Sequence, residues 1–168
     1  MVCHEFVSIA ALLDAEERGE VSESTFDDEL WLFLIERISS PQDTARFAKP
    51  VMLYYASRLV QWEVGNGGFA QAAYNVPEWF ELAALGYDEL GLPRFATLIR
   101  EAMALLPTEN RETAFDAQEI GELFQQFSES KLARLGERLD QMDQTEWEAD
   151  ALRLQYVREN RQAFRDVA

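Results

Sequence analysis

Proline and glycine cut most of this chain into short segments, and the longer of these carry apolar residues at helical spacing. Proline presets the backbone for a first helical turn, and glycine supplies the positive φ that closes a last one. The chain places them at Gly19, Pro41, Pro50, Gly65 to Gly68, Pro77, Gly91, Pro93 and Pro107. The pieces 51–64, 78–90 and 94–106 suit helices of about 12–14 residues, the usual globular length. No alternating run bounded by hairpin turn residues occurs, so the pattern predicts helices throughout.

Residues 6–18 present Phe6, Ile9, Ala10 and Leu13 as a stripe ending near Gly19. Thr25 reads as an N-cap, with Asp27 and Asp28 in the first turn of a helix running to about Ile38. Pro50 opens a helix over 51–64 with Met52, Tyr55, Leu59 and Trp62 on one face. Gly65-Asn66-Gly67-Gly68 breaks it, and a short helix follows over 69–74. Trp62, Phe69, Tyr74 and Trp79 are expected in the core around that turn, although an exposed aromatic there would suit an anchor for a partner. Helices over 78–90 and 94–106 carry Tyr87 and Phe95 on their inner stripes. Asp116 with Glu119 resembles a capping box. Residues 128–130 interrupt a run that resumes at Leu132, and Thr145 is expected to cap the last helix. The prediction is an all-α fold, a compact multi-helix single domain of about 7–9 helices spanning residues 1–168.

Charge decides which functions such a fold can serve. The chain holds 31 acids against 15 bases, a formal charge of -16, yet 48% of it is hydrophobic and it includes 11 Phe and 4 Trp. That apolar content separates it from disordered acidic chains. A field of this sign repels nucleic acid and anionic membranes and draws in basic partners. Neither direct nucleic-acid binding nor membrane association is therefore expected. Cys3 and His4 are the only residues of their kinds. An internal disulfide is excluded, and the chain reads as cytoplasmic. Adjacent in sequence at a terminus, the two are poorly placed as nucleophile and base. The acidic runs lack the spacing of a calcium loop, and no zinc spacing occurs. The Gly65–Gly68 stretch follows a helix and matches no phosphate-binding pattern. No catalytic residue, metal or cofactor is expected.

Binding through the acids remains. Asp116, Glu119 and Glu122 recur every three residues, as do Glu137, Asp140 and Asp143. On a helix that spacing sets successive carboxylates about 4.5 Å apart along the axis. DNA presents phosphates about every 3.4 Å per strand. These six residues, with Asp27 and Asp28, are the candidate partner-binding surface. The opposing reading is that they are the solvated sides of amphipathic helices.

The stretch 55–75 adds a family resemblance. Glu63, Asn66, Gly67, Gly68, Phe69, Gln71, Tyr74 and Asn75 match a pattern of an acidic residue before Asn-Gly-Gly-Phe, then Gln, an aromatic and Asn. The chain thereby resembles a bacterial family of acidic DNA-mimic proteins, over about residues 51–164. Further matches are 81–86, 102–107 and Tyr156-Val157-Arg158 followed by Phe164. The resemblance implies an all-helical fold, a homodimer and an acidic surface that occupies a basic DNA-binding protein, such as a helix-turn-helix transcription factor, and so blocks its access to DNA. The motif itself reads as a structural turn. Two other classes stay open: an acidic immunity or antitoxin-like module that inhibits a basic partner which does not bind DNA, and an enzyme or small-molecule binder with an unrecognised site.

Overall fold

The chain starts its first helix where a serine can cap it. In the computed structural model, which describes residues 6–106 and 131–167, the Ser8 hydroxyl accepts the Ala11 N–H at 3.2 Å and opens α1, Ile9–Glu17. Gly19, at φ 69°, ends the turn that follows. Helix α2, Glu23–Ile35, begins earlier than its acids suggest. Ser22, not Thr25, is the cap: its hydroxyl accepts the Thr25 N–H at 3.2 Å. Asp27 and Asp28 consequently lie beyond the first turn. A 3-10 turn, Pro41–Ala45, leads into α3, Lys49–Asn75. Among the described residues every regular element is helical, as the punctuation predicts.

The long α3 is two helices joined by a kink. Only Gly67 (φ -159°, ψ 22°) and Gly68 (φ 75°, ψ -175°) leave helical geometry. The break is thus two residues long, and Gly65 and Asn66 complete the first half. Residues 51–57 are buried on every side. Trp62 is not in the core as expected but 59% exposed. The stripe that contains it extrapolates one face along a helix whose enclosure ends before that turn.

Contacts gather the chain into two compact units, Met1–Tyr55 with Asp150–Ala168, and Ala56–Ala149. The first holds α1, α2 and two C-terminal helices, α7 at Asp150–Glu159 and α8 at Arg161–Arg165. The single final helix expected after Thr145 is therefore two, parted at Asn160, and starts five residues later. Leu12, Leu13, Phe26, Leu30 and Leu34 are fully buried. Tyr54 meets Phe164 edge-on at 5.6 Å, and Trp31 stacks on Tyr55 at 5.1 Å. Arginines of α7 and α8 bind acids of α1 and α2. Arg158 reaches Glu16 at 2.8 Å and Glu23 at 2.9 Å. Arg161 pairs with Glu16 and donates to the Leu13 carbonyl, and Arg165 pairs with Asp14.

The second unit contains the rest of α3, α4 at Phe80–Glu89, α5 at Pro93–Leu105 and α6 at Ala133–Leu139. The first turn of the helix expected over 78–90 is a separate 3-10 turn, Pro77–Trp79. Between α4 and α5 the chain reverses at Gly91, φ 76°, where the Leu92 N–H returns to the Tyr87 carbonyl at 2.8 Å. This is the glycine closure that a helix C-terminus favours. Phe95 is the centre of an aromatic cluster, 4.5 Å from Tyr87, 5.9 Å from Phe69 and 6.2 Å from Trp147.

Candidate partner-binding surface

The Asn-Gly-Gly-Phe stretch is held together by a buried acid. Glu63, only 6% exposed, accepts from Gln71 Nε2 at 3.1 Å and from Asn75 Nδ2 at 2.7 Å. Both donors stand on the far side of the kink, so the carboxylate ties the two halves of α3. Each glycine has its own reason. A Cβ at Gly67 would overlap the Gln71 side-chain amide, whereas Gly68 needs its positive φ. Phe69 is fully buried, Tyr74 is half-buried, and Asn66 is exposed at the turn. These residues build a joint whose polar groups face one another.

Of the eight acids singled out as partner-binding, Asp116, Glu119 and Glu122 lie outside the described residues. Asp27 is half-buried and accepts the Tyr54 hydroxyl at 2.7 Å, which gives it a task within the fold. Asp28 is exposed. Glu137, Asp140 and Asp143 are exposed together, but not along one helix. Helix α6 stops at Leu139, Asp140 is its C-cap, and Asp143 belongs to the next turn. The even axial step expected of this triplet is therefore not carried to Asp143.

Asp143 instead caps the 3-10 turn Gln144–Glu146. It accepts the Thr145 hydroxyl at 2.6 Å and the Thr145 N–H at 2.9 Å, and these two bonds hold its carboxyl below the usual range. Thr145, expected as a cap, is the residue being capped. Glu146 is paired with Arg94, and Glu101 with Arg138. Among the described residues Glu137, Asp140 and Glu148 take no part in an ion pair, and Glu148 is an exposed acid that spacing arguments passed over. The run of six acids to one base over 137–150 was its signal.

The stretch after α6 is anchored from beneath. Tyr87, fully buried, donates its hydroxyl proton to Gln61 Oε1 at 2.7 Å, and the Trp147 carbonyl lies 3.2 Å from the same hydroxyl. Gln61 Oε1 also accepts the Ala149 N–H at 3.2 Å. No motif marks Gln61 or Tyr87 in the sequence, because neither belongs to a run of like residues.

The charge is unequally shared. Residues 56–149 hold 17 acids against 7 bases, and the remaining residues 14 against 8. In the latter the arginines of α7 and α8 already engage Asp14, Glu16, Glu17 and Glu23. The uncompensated excess therefore falls mainly on 56–149. Among the described residues no group of three or more His, Cys, Asp or Glu is arranged to hold a metal, and no helix is long and apolar enough to cross a membrane. Cys3 and His4 lie outside those residues.

Fold and surface define an all-α acidic protein whose candidate site is a set of outward carboxylates on one charge-rich stretch of chain. It belongs to the DMP19-like protein family, whose sequence model matches residues 45–160. That span contains the whole of the Glu63 to Asn75 joint and the exposed acids after α6. No curated protein and no solved structure matches the chain.

Proposed function

We propose that this protein is a DNA mimic: its acidic surface binds a basic DNA-binding protein, such as a helix-turn-helix transcription factor, and keeps it from DNA. Membership of the DMP19-like family over residues 45–160 is the observation that carries this reading. The acidic excess of residues 56–149 agrees with it in sign and location. A basic face evolved to neutralise phosphates is drawn to such a field, and the attraction accelerates encounter. The proposed contact residues are Glu137, Asp140 and Asp143, joined by Asp116, Glu119 and Glu122 and by Asp28. Asp27 contributes through the charge it adds while holding Tyr54. The protein acts as a homodimer in the cytoplasm in this reading, and it binds rather than catalyses.

Affinity capture from host lysate at low salt, with and without excess duplex DNA, tests the proposal. A DNA-binding protein retained alone and lost when duplex is added is the expected result. Retention of a partner indifferent to duplex overturns mimicry in favour of inhibition of a basic protein that does not bind DNA.

A further inference from the structure

The acids after α6 sit on a stretch held at its near end by the Asp143 cap and at Glu146 by Arg94, while its last residues depend on other groups. Asp140, Asp143 and Glu148 are exposed, α6 has ended at Leu139, and neighbouring carboxylates repel one another. Burial of their own side chains cannot order them. Two groups from elsewhere in the same unit hold this backbone. Gln61 of α3 takes the Ala149 N–H at 3.2 Å, and Tyr87 of α4 places its hydroxyl on Gln61 at 2.7 Å and beside the Trp147 carbonyl at 3.2 Å. Ala149 and Tyr87 are both fully buried and Gln61 and Trp147 half-buried, so this small network is partly withdrawn from water. Hydrogen bonds in such surroundings are strong, and leaving a member without its partner is costly.

We infer that Gln61 and Tyr87 are positioning residues of the acidic surface. They lock residues 147–149 and thereby present Asp140, Asp143 and Glu148 as a fixed array. The inference rests on the reading that these acids meet the partner. A flexible acidic loop attracts a basic protein from a distance as well as a fixed one, because the net charge is the same. It binds less tightly once in contact, because the loop must be ordered at that moment. The lock therefore acts on dissociation, whereas the charges act on encounter.

Tyr87→Phe removes the two hydroxyl contacts, and Gln61→Met with Tyr87→Phe removes the whole network, both with side-chain volume kept. In the free full-length protein, amide exchange at residues 145–149 is expected to speed up about tenfold while α4 and α5 exchange as before. Against the duplex-competed protein from the capture experiment, dissociation is expected to be about tenfold faster, with association and its salt dependence unchanged. Unchanged exchange at 145–149 overturns the lock. Faster exchange with unaltered dissociation overturns its role in binding. If wild-type protein captures no duplex-competed partner, the mimic reading fails, and the exchange result alone decides whether the pair holds the segment.

Discussion

Asn75 donates its side-chain amide to the Glu63 carboxylate at 2.7 Å, across the two glycines that interrupt α3. The bond is made by an exposed residue to a buried acid, with Gln71 supplying a second donor at 3.1 Å. The helical ladder cannot carry the chain through Gly67 and Gly68, and these side chains replace it as the link between the two halves.

Glu63→Gln should therefore destabilise the fold by about 1–3 kcal/mol, because a buried amide replaces an acceptor facing two donors. Urea denaturation of Glu63→Gln, Asn75→Ala and the double variant gives the coupling. Additive losses would mean that the two side chains do not act together.

The glycines of this stretch should respond to alanine with opposite signs. Gly68→Ala places a Cβ at φ 75° and ψ -175°, a region that only glycine enters freely, and should lose about 1–3 kcal/mol. Gly65 is helical, and a Cβ there meets nothing within 4 Å. Gly65→Ala should gain about 0.4–1 kcal/mol. Thermal midpoints of the two variants read the difference, and equal shifts would contradict the placement of the kink.

Glu16 receives both Arg158 and Arg161, and its side chain is only 10% exposed. Glu16→Gln should lose about 1.5–3 kcal/mol, the range of hydrogen bonds to charged groups. Glu20→Gln, at an exposed pair with Arg18, should barely move the midpoint. Chemical denaturation of the two variants side by side tests the ranking.

Asp43 accepts the N–H groups of Ser39 at 2.9 Å and Ser40 at 3.1 Å, and these bonds lower its pKa from 3.8. A lowered folded value adds stability above the unfolded pKa and withdraws it as pH falls through the folded one. Wild type should therefore outlast Asp43→Asn in thermal melts above pH 3.8, and the gap should close below it. A gap that persists in strong acid would show that the carboxylate charge is not its source.

Combined Glu137→Lys, Asp140→Lys and Glu148→Lys should slow association with the captured partner and flatten its salt dependence, with helicity retained. Asp143 is left intact because it caps the following turn. Stopped-flow association over a salt series is the measurement. An unchanged rate would mean that other acids make the contact.

Local chemistry made much of the fold legible. Pro93 and Gly91 mark α5 and the end of α4 to within a residue, because a preset φ and a positive φ act on their own positions. The cap expected at Thr25 falls on Ser22, three residues earlier, because only the extended backbone at Ser22 aims a hydroxyl at the Thr25 N–H. The acids fared less well. Equal spacing at Glu137, Asp140 and Asp143 suggested one helical face, but spacing is silent about where a helix stops.

By itself the sequence determined that the chain is helical, strongly acidic and broken within Gly65-Asn66-Gly67-Gly68, since these follow from side-chain periodicity, charge and glycine's lack of a Cβ. Tertiary structure alone decided that Trp62 is exposed, that Asp14, Glu16 and Glu23 are neutralised by Arg165, Arg161 and Arg158, and that Gln61 and Tyr87 hold the acidic stretch at Ala149. The difference is range. A turn or a cap is settled by groups within a few residues, whereas burial and pairing depend on partners as far as 151 residues away.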